Sequence, residues 1–289
     1  MEKFFSKSRS GTTLAEIITS LLIIAIIMGA VLGLFFAIVK HMEQSNDVST
    51  AQQHGESVIY LLQPKVLAAG LGLPNNSEDL RSTLSTFFPT SLPLSDRKPI
   101  LISGDLIEIL YSVPSEAIAS GEVVVSSADV TIPLVGSTQG LVANSPQNAS
   151  SWVCFPGTGF PLYVTQASPL QVRAVGGASG LVYGLDRLHY LRVAKATISG
   201  DRFLMEDMGD FNPLNEPIAE VVEGIVGLSF QNDESTGAFM VSVLCKGQNR
   251  YDSVISPEDI PPFTGISEEN RHFRLKVVEA RWRVRNYEY

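Results

Sequence analysis

The longest regular feature of the chain is an uncharged apolar run over residues 17–39, IITSLLIIAIIMGAVLGLFFAIV. About 20 apolar residues are enough for a helix to cross the hydrocarbon core of a bilayer. An ordinary secretory signal has a shorter apolar core and a small-residue cleavage site after it. Here the small residue Gly11 comes before the run. The pattern therefore predicts a membrane-spanning helix over 17–39.

Apolar residues continue at helical spacing after this run. They are Val48, Ala51, Val58, Ile59, Leu62 and Val66, with Gln52, Gln53 and Glu56 between them. Residues three and four positions apart share one face of a helix, so this half has an apolar side that can pack on a globular body. Pro64 cannot donate a helical hydrogen bond, and we expect it to kink or end the helix. The predicted helix covers 12–69.

From Gly70 onward the pattern changes to short β-like runs that turn residues separate. The predicted strands are 106–113, 122–132, 152–155, 162–165, 170–175, 188–197, 225–230, 239–245 and 273–285. The last run alternates, and one of its faces carries Val278, Ala280 and Trp282. We expect an α+β fold in which the long helix packs on an antiparallel, β-rich head over 70–289.

The distribution of charge predicts an orientation in the membrane. The formal net charge is −9, yet the segment before the apolar run holds Lys3, Lys7 and Arg9 against Glu2. Short basic segments stay on the cytoplasmic side of a membrane, so the head should be external. An acidic chain gains nothing from a phosphate backbone, and we expect no direct nucleic-acid partner.

The two cysteines, Cys154 and Cys245, are too far apart in sequence to form a zinc motif. In an exported head a single disulfide between them is chemically reasonable. Two unpaired buried thiols are the alternative, because the sequence does not show whether the two Cβ atoms can meet. Both interpretations remain open at this point.

The sequence offers no motif on which to base an active site, a metal site or a cofactor site. The four histidines lack metal-type spacing, and the glycine cluster 176–180 lacks the Lys-Ser/Thr of a phosphate loop. An acidic stretch contains Glu206, Asp207, Asp210, Asn212, Asn215 and Glu216. It does not match the EF-hand spacing, and a solvated loop is the simpler interpretation than a calcium site. The basic residues of 271–285 indicate a solvated or packing face rather than an anion site.

The residues before the apolar run carry the most specific motif. They read Lys7-Ser8-Arg9-Ser10-Gly11-Thr12-Thr13-Leu14-Ala15-Glu16. This segment resembles the class III signal of type IV prepilins. The resemblance implies that prepilin peptidase cuts after Gly11, that Thr12 becomes a methylated N-terminus, and that Glu16 is the family's acid at the fifth mature position. Thr12 departs from the family, which usually has an aromatic residue or Met there.

The resemblance also implies how such chains assemble. In the family, the fifth-position Glu pairs with the N-terminus of a neighbouring subunit, because unpaired charges in an apolar core are very costly. Glu16 could also reach the Thr12 amine of its own helix, four residues away. Gly29 and Gly33 form a G-x-x-x-G pair, which either supports close helix packing or is a chance pair in a membrane helix.

The C-terminal third resembles the group of minor pilin W and pseudopilin J, through 221–230 and 282–286. That group implies a non-enzymatic tip protein that serves a type IV pilus or a type II secretion fibre. The implied partners are prepilin peptidase, other minor pilins or pseudopilins, the major subunit, the inner-membrane assembly platform and the lipid bilayer. The implied location is the bacterial inner membrane, as a single-pass protein, and then the fibre.

Two other classes of protein remain open from the sequence. A bitopic membrane protein with an external ligand-binding or sensory β domain would keep residues 1–11 and would not polymerise. A membrane-tethered hydrolase would need a site assembled from residues far apart in the sequence. Neither class predicts removal of the 1–11 leader.

Overall fold

The computed structural model describes residues 14–73, 99–145, 149–174, 177–207, 219–233 and 238–283. The chain divides into two compact units, Met1–Asp47 and Val48–Tyr289. The described residues form one long N-terminal helix and a set of antiparallel β-sheets. The predicted α+β class is confirmed at this level.

The long helix, α1, covers Leu14–Leu67, so it continues past the apolar run as expected. Residues 12 and 13 of the predicted helix lie outside the described residues. Pro64 lies in the last turn of α1. Its carbonyl accepts a hydrogen bond from the N–H of Ala68 at 3.1 Å. A proline within one turn of the helix end removes a single helical donor, which is consistent with an end rather than an interior break.

The described residues contain many short strands after α1. They are β1 Ile100–Ser103, β2 Leu106–Ala119, β3 Val123–Val125, β4 Val130–Thr131, β5 Leu134–Val135, β6 Trp152–Cys154, β7 Leu162–Gln166, β8 Gln171–Ala174, β9 Gly180–Val182, β10 Arg187–Ser199, β11 Arg202–Asp207, β12 Ala219–Glu223, β13 Ile225–Asp233, β14 Ala238–Lys246 and β15 Leu275–Arg283. A 3-10 turn covers Ala149–Ser151, and a short helix, α2, covers Glu268–Arg271. Every pairing between these strands is antiparallel.

The strands belong to three sheets among the described residues. The largest has the order β1-β2-β10-β6-β7-β8-β4, with β5 beside β2 and with β11 between β10 and β12. The second sheet has the order β13-β14-β15, and β3 and β9 form a two-stranded ribbon. The long strands β2 and β10 form the centre of the largest sheet, with Ile109 opposite Ala194 and Val113 opposite Tyr190.

The first buried cluster, which we call the helix core, lies between the second half of α1 and strands of both larger sheets. Its fully buried α1 residues are Ala51, Val58, Leu62 and Val66, and the strands contribute Ile107, Ile109, Phe203, Phe239, Val241, Val243 and Trp282 among others. The helical spacing therefore predicted the correct face of α1. Val278 and Ala280 also pack against this core, as the alternation of the last strand indicated.

Gly55 sets how closely α1 approaches the three-stranded sheet. A Cβ at this position would lie 2.6 Å from Cγ2 of Val278 and 2.7 Å from Sγ of Cys245. Real carbon atoms do not approach so closely, so any larger residue would push the helix or the strand away. Glycine normally weakens the middle of a helix, and here the close packing explains its presence.

A second core belongs to the segment between β2 and β10, residues 120–186, which we call the inserted module. Its buried residues are Val125, Ile132, Val153, Phe155, Leu162, Val164, Leu170, Val172, Ala174 and Val182, with Ala117, Ala119 and Leu188 from the ends of β2 and β10. No residue of this described cluster comes from α1. A small third cluster contains Leu73, Leu110, Trp152, Cys154, Tyr163, Leu191 and Val193.

The predicted strands match β2, β6, β7, β8, β10, β13, β14 and β15, with shifted ends. The prediction of one strand over 122–132 was wrong, because β3 and β4 lie there in different sheets. Ser126 explains the interruption, since its hydroxyl accepts a hydrogen bond from the N–H of Ala128 at 3.4 Å. Such a local side-chain bond favours a turn over an extended strand.

Candidate functional site

The candidate site begins at the start of α1, where Glu16 lies in the first turn and is exposed. The first turn of a helix has backbone N–H groups without helical partners, and this positive end favours a carboxylate. The predicted cleavage residue Gly11 and the predicted methylated residue Thr12 lie outside the described residues. The structure therefore gives Glu16 a position at the helix start and leaves the other two as predictions.

Thr19 is a polar residue inside the apolar run. Its hydroxyl is 3.0 Å from the carbonyl oxygens of Ala15 and Glu16, and it donates to this pair. A hydroxyl that bonds to its own helix needs no water, which makes it compatible with a hydrocarbon environment. Thr19 therefore does not weaken the case for a membrane span.

The first half of α1 presents its apolar side chains on all sides. Every residue from Leu14 to Ile38 is exposed in the isolated chain. By length and composition, α1 contains a segment that could span a membrane. A helix that is apolar all round is not stable in water, so lipid or other protein must cover this surface.

Gly29 and Gly33 lie on this exposed part of α1. A Cβ at either position would meet no other atom within 4 Å. The chain itself therefore gives no steric reason for glycine here, in contrast to Gly55. Each glycine costs a helix about 1 kcal/mol relative to alanine. Any packing reason for the pair must lie outside the part of the chain that the structure describes.

Both cysteines are free thiols in the structure, so the disulfide that the sequence left open is not formed. Cys245 lies in the helix core, and Cys154 lies in the third cluster. The alternative of two unpaired buried thiols describes them correctly. Burial raises the pKa of each thiol to about 12, so both remain protonated at neutral pH. Neither cysteine can act as a thiolate nucleophile in this state.

A buried polar cluster that the sequence did not indicate surrounds Cys154. His189 lies opposite Cys154 in the pairing of β10 with β6, and its Nδ1 is 3.2 Å from Oγ of Ser112. Burial, followed by the charge of Arg187, lowers the pKa of His189. Burial thus disfavours the charged forms of both the thiol and the imidazole. A Cys–His nucleophile uses those charged forms, which burial disfavours here.

The acidic stretch 206–216 is described only at its start, where Glu206 and Asp207 belong to β11. The hydroxyl of Tyr111 donates to Oδ2 of Asp207, and the ammonium of Lys65 lies 5.7 Å from the centre of the Tyr111 ring. These contacts connect the end of α1 with β2 and β11. Among the described residues, no group of three His, Cys, Asp or Glu side chains could hold a metal ion.

The basic residues near the C-terminus contact groups of their own chain. Arg271 lies 3.7 Å from a carboxylate oxygen of Glu258, and the guanidinium of Arg274 lies 5.4 Å from the centre of the Tyr251 ring. Such partly exposed contacts contribute little to stability. They favour the interpretation of this segment as a packing and solvated face.

The described structure thus defines a chain with one N-terminal helix that could span a membrane, followed by an antiparallel β-rich body. Comparison of the chain with known protein families, with curated proteins and with solved structures found no match. An argument about function therefore depends on the leader, the exposed helix and the body themselves.

Proposed function

We propose that this chain is a minor pilin or pseudopilin, a fibre subunit of the prepilin class. Prepilin peptidase cuts it after Gly11, and the mature chain enters a type IV pilus or a type II secretion fibre through α1. The observation that carries the proposal is the leader itself. A basic segment, Gly11 and an offset Glu16 stand directly before an uncharged run that is long enough to span a bilayer.

The helix start supports this assignment. The described part of α1 begins at Leu14, two residues after the proposed new N-terminus at Thr12. Glu16 therefore comes four residues after the position where cleavage would create an amine. In an apolar fibre core that amine and a carboxylate would stabilise each other, whereas either one alone would be strongly destabilising.

The exposed apolar surface of α1 is the contact surface for assembly in this proposal. In the membrane, lipid covers the segment from Leu14 to Ile38, and in the fibre neighbouring helices take the place of lipid. Apolar side chains lose little in this exchange, because lipid tails and leucine side chains are equally apolar. Gly29 and Gly33 leave open space beside the helix, which would let a neighbouring backbone approach closely.

The body fits the proposal through the second half of α1. Ala51, Val58, Leu62 and Val66 pack this half against antiparallel strands, so one helix serves both as membrane segment and as part of the head core. We propose that this arrangement is a pilin-like head, enlarged by the inserted module. The resemblance of 221–230 and 282–286 to the minor pilin W and pseudopilin J group favours a position at the fibre tip.

A bitopic sensor is the main alternative to a pilin, because it would have the same membrane helix and the same external body. The two proposals differ at residues 1–11, which a sensor keeps and a pilin loses. Only the pilin proposal gives Glu16 a role after cleavage. The decisive measurement therefore concerns the N-terminus of the chain in its own membrane.

The test is the accurate mass of the N-terminal peptide, from the full chain expressed in cells with and without prepilin peptidase. We expect a peptide that starts at Thr12, with one added methyl group, only in cells that contain the peptidase. The variant Gly11→Leu should abolish this cleavage, and Gly29→Ala should leave it unchanged as a matched control. A peptide that starts at Met1 in both kinds of cell would overturn the proposal and favour the sensor.

The role of Glu16 is tested in the same cells by the fibre fraction. Glu16→Gln keeps the size of the side chain and removes its charge. We expect cleavage after Gly11 to remain normal while the amount of protein in sheared fibres falls about tenfold or more, since a buried amine loses its partner. Normal incorporation of Glu16→Gln would separate cleavage from charge pairing and remove Glu16 from the assembly step.

A further inference from the structure

The strand β15 forms one edge of the three-stranded sheet. It pairs with β14 from Lys246 opposite Leu275 to Ala238 opposite Arg283, without a shift of register. Among the described residues β15 has no other strand as a neighbour. In an antiparallel pair, alternate residues direct their N–H and C=O groups away from the partner strand. The outer side of β15 therefore presents a regular row of backbone donors and acceptors.

This edge lacks several features that commonly prevent an edge strand from pairing. Such strands are often very short, or they contain a proline or a bulge. In contrast, β15 has nine residues, no proline and a regular register. Charged side chains are another protective feature, and β15 carries Lys276, Glu279, Arg281 and Arg283. The positions of these charges decide which partner they would repel and which they would attract.

The face of β15 that turns away from the helix core is cationic at its outer side. Successive side chains of a strand alternate between its faces, and this face carries Glu279, Arg281 and Arg283, all of them exposed. Oγ of Ser242 on β14 donates to Oε1 of Glu279 at 3.0 Å, so this carboxylate is directed toward β14. The two arginines therefore dominate the charge that an approaching chain would meet.

The backbone and the arginines together select the class of partner. The backbone groups of an edge strand form regular hydrogen bonds only with another extended chain, which a lipid surface or a small anion does not provide. Guanidinium groups pair well with carboxylates, so acidic residues at alternate positions would match Arg281 and Arg283. The residues between them would lie beside Val278 and Ala280, which are half-buried and pack on the helix core. Those intervening residues should be apolar.

A second copy of this chain is a poor occupant of the edge. Antiparallel pairing of β15 with its own copy needs a two-fold axis perpendicular to the sheet. Since α1 passes over β15 where Gly55 approaches Val278, this axis would make the two α1 helices antiparallel. Two chains whose α1 helices enter one membrane have these helices parallel. The edge therefore fits an extended segment of a different protein.

We propose that β15 docks an extended segment of another protein, in which acidic and apolar residues alternate. The segment adds a fourth strand to the sheet of β13, β14 and β15. Main-chain hydrogen bonds supply the affinity, and pairing with Arg281 and Arg283 selects the acidic sequence. The inference uses the membrane assignment of α1 and does not depend on cleavage after Gly11.

The test uses the purified full chain in detergent and a synthetic peptide of about eight residues in which glutamate and valine alternate. At saturating peptide, we expect hydrogen exchange of β15 to slow about tenfold or more, while exchange of β1, an edge of the largest sheet, stays unchanged. A peptide with lysine in place of glutamate is the control for charge. A glutamate peptide with N-methylated backbone amides is the control for strand pairing. Neither control peptide should slow exchange.

Charge variants of β15 separate recognition from folding. Arg281→Glu combined with Arg283→Glu should transfer the preference from the glutamate peptide to the lysine peptide. Arg281→Lys combined with Arg283→Lys keeps the charge and should retain the glutamate peptide. All of these changes affect exposed side chains, so the melting temperature should shift by only a few degrees.

Four results would overturn the proposal. No slowing by any peptide would mean that the charges only protect the edge. Equal slowing by the glutamate and lysine peptides would remove the selection by charge, and slowing by the N-methylated peptide would remove strand pairing. Slow exchange of β15 without peptide that depends on protein concentration would identify a second copy as the occupant. Cleavage after Gly11 is measured separately, so failure of either proposal is recognised by itself.

Discussion

The helix core and the inserted module differ in the elements that contribute their buried side chains. The helix core needs α1, because Val58 and Leu62 fill the space between strands that come from two sheets. The core of the module is built from its own short strands and from the ends of β2 and β10, and its described residues include none of α1. The helix core therefore depends on α1 directly, whereas the module core meets α1 only through the strands β2 and β10.

The two regions also differ in their surfaces. Near the helix core, Lys246 pairs with Asp201 at 3.0 Å and Arg202 pairs with Glu223 at 3.4 Å. The module has hardly any charged side chains, and its surface shows Val124, Tyr183 and Leu185 instead. The first region thus carries ion pairs on its surface, and the second region has few charged side chains through which to make such contacts.

The largest expected effects come from matched truncations in the two cores. Leu62 and Leu162 are both fully buried, one in each region. Leu62→Ala and Leu162→Ala should each destabilise their core by about 3 kcal/mol, through lost burial and a residual cavity. Hydrogen exchange of the full chain in detergent should show faster exchange in β13 and β14 for Leu62→Ala, and in β7 and β8 for Leu162→Ala.

The same two variants can also show that the two cores are not independent. If each variant accelerates exchange equally in all four strands, the two cores unfold as one cooperative unit. The third cluster, with Trp152 and Tyr163, would then couple them more strongly than their separate packing indicates. The division into two regions would remain as a description of packing and would not describe stability.

A smaller effect is expected at Gly55, where α1 meets the three-stranded sheet. Gly55→Ala should gain about 1 kcal/mol from helix propensity and lose about 2 to 3 kcal/mol from overpacking against Val278 and Cys245. We therefore expect a net loss of about 1 to 2 kcal/mol in the free energy of unfolding. Gly121→Ala in the module, where a Cβ meets no atom within 4 Å, is the control and should change stability by about 0.5 kcal/mol or less. Equal melting temperatures for both variants would mean that α1 packs less closely than described.

The smallest effect concerns pH and two acids near the helix core. Burial raises the pKa of Glu108 above its ordinary value of 4.5, although the charge of Lys195 opposes this shift. The folded state then holds its proton more tightly than the unfolded state, so stability should fall as pH rises above about 4.5. Glu108→Gln should remove this loss in thermal unfolding of the full chain. A wild-type stability that rises steadily over the same range with no change in the variant would contradict it.

Asp201 should affect the pH dependence of stability in the opposite direction from Glu108. The hydrogen bond from Lys246 is the main reason that the pKa of Asp201 lies below its ordinary value of 3.8. Its contribution is present above that value and should be lost as pH falls below about 4. Asp201→Asn should therefore lower stability slightly at neutral pH and flatten the acid side of the profile. Because Asp201 is half exposed, solvent screening keeps this effect small.

The sequence predicted best those elements that local periodicity determines. The apolar face of α1 and the alternation of β15 could be read directly, since each period follows from backbone geometry. The strands β1, β5, β9, β11 and β12 were not predicted. Of these, β5 and β9 have only two and three residues, and β9 pairs with the distant strand β3. A strand of two or three residues is defined by its neighbour more than by its own composition.

The features of the candidate sites also divide into those that the local sequence indicates and those that depend on tertiary contacts. The role of Glu16 was inferred from its position before the apolar run and stays a prediction, whereas Gly55 has a packing role that only the approach of Val278 and Cys245 reveals. The state of Cys154 and Cys245 also depended on tertiary structure, because the two thiols belong to different buried clusters.

The end of β2 and the residues just before β10 meet at a junction that backbone hydrogen bonds hold together. The N–H of Ala119 donates to the carbonyl of Asp186 at 2.9 Å, and the carbonyl of Ala119 accepts from the N–H of Leu185. These hydrogen bonds hold the two ends of the module together. A short insertion near this junction should therefore leave the ends of β2 and β10 together, whereas exchange of the whole module would also remove the pairings of β5 with β2 and of β6 with β10.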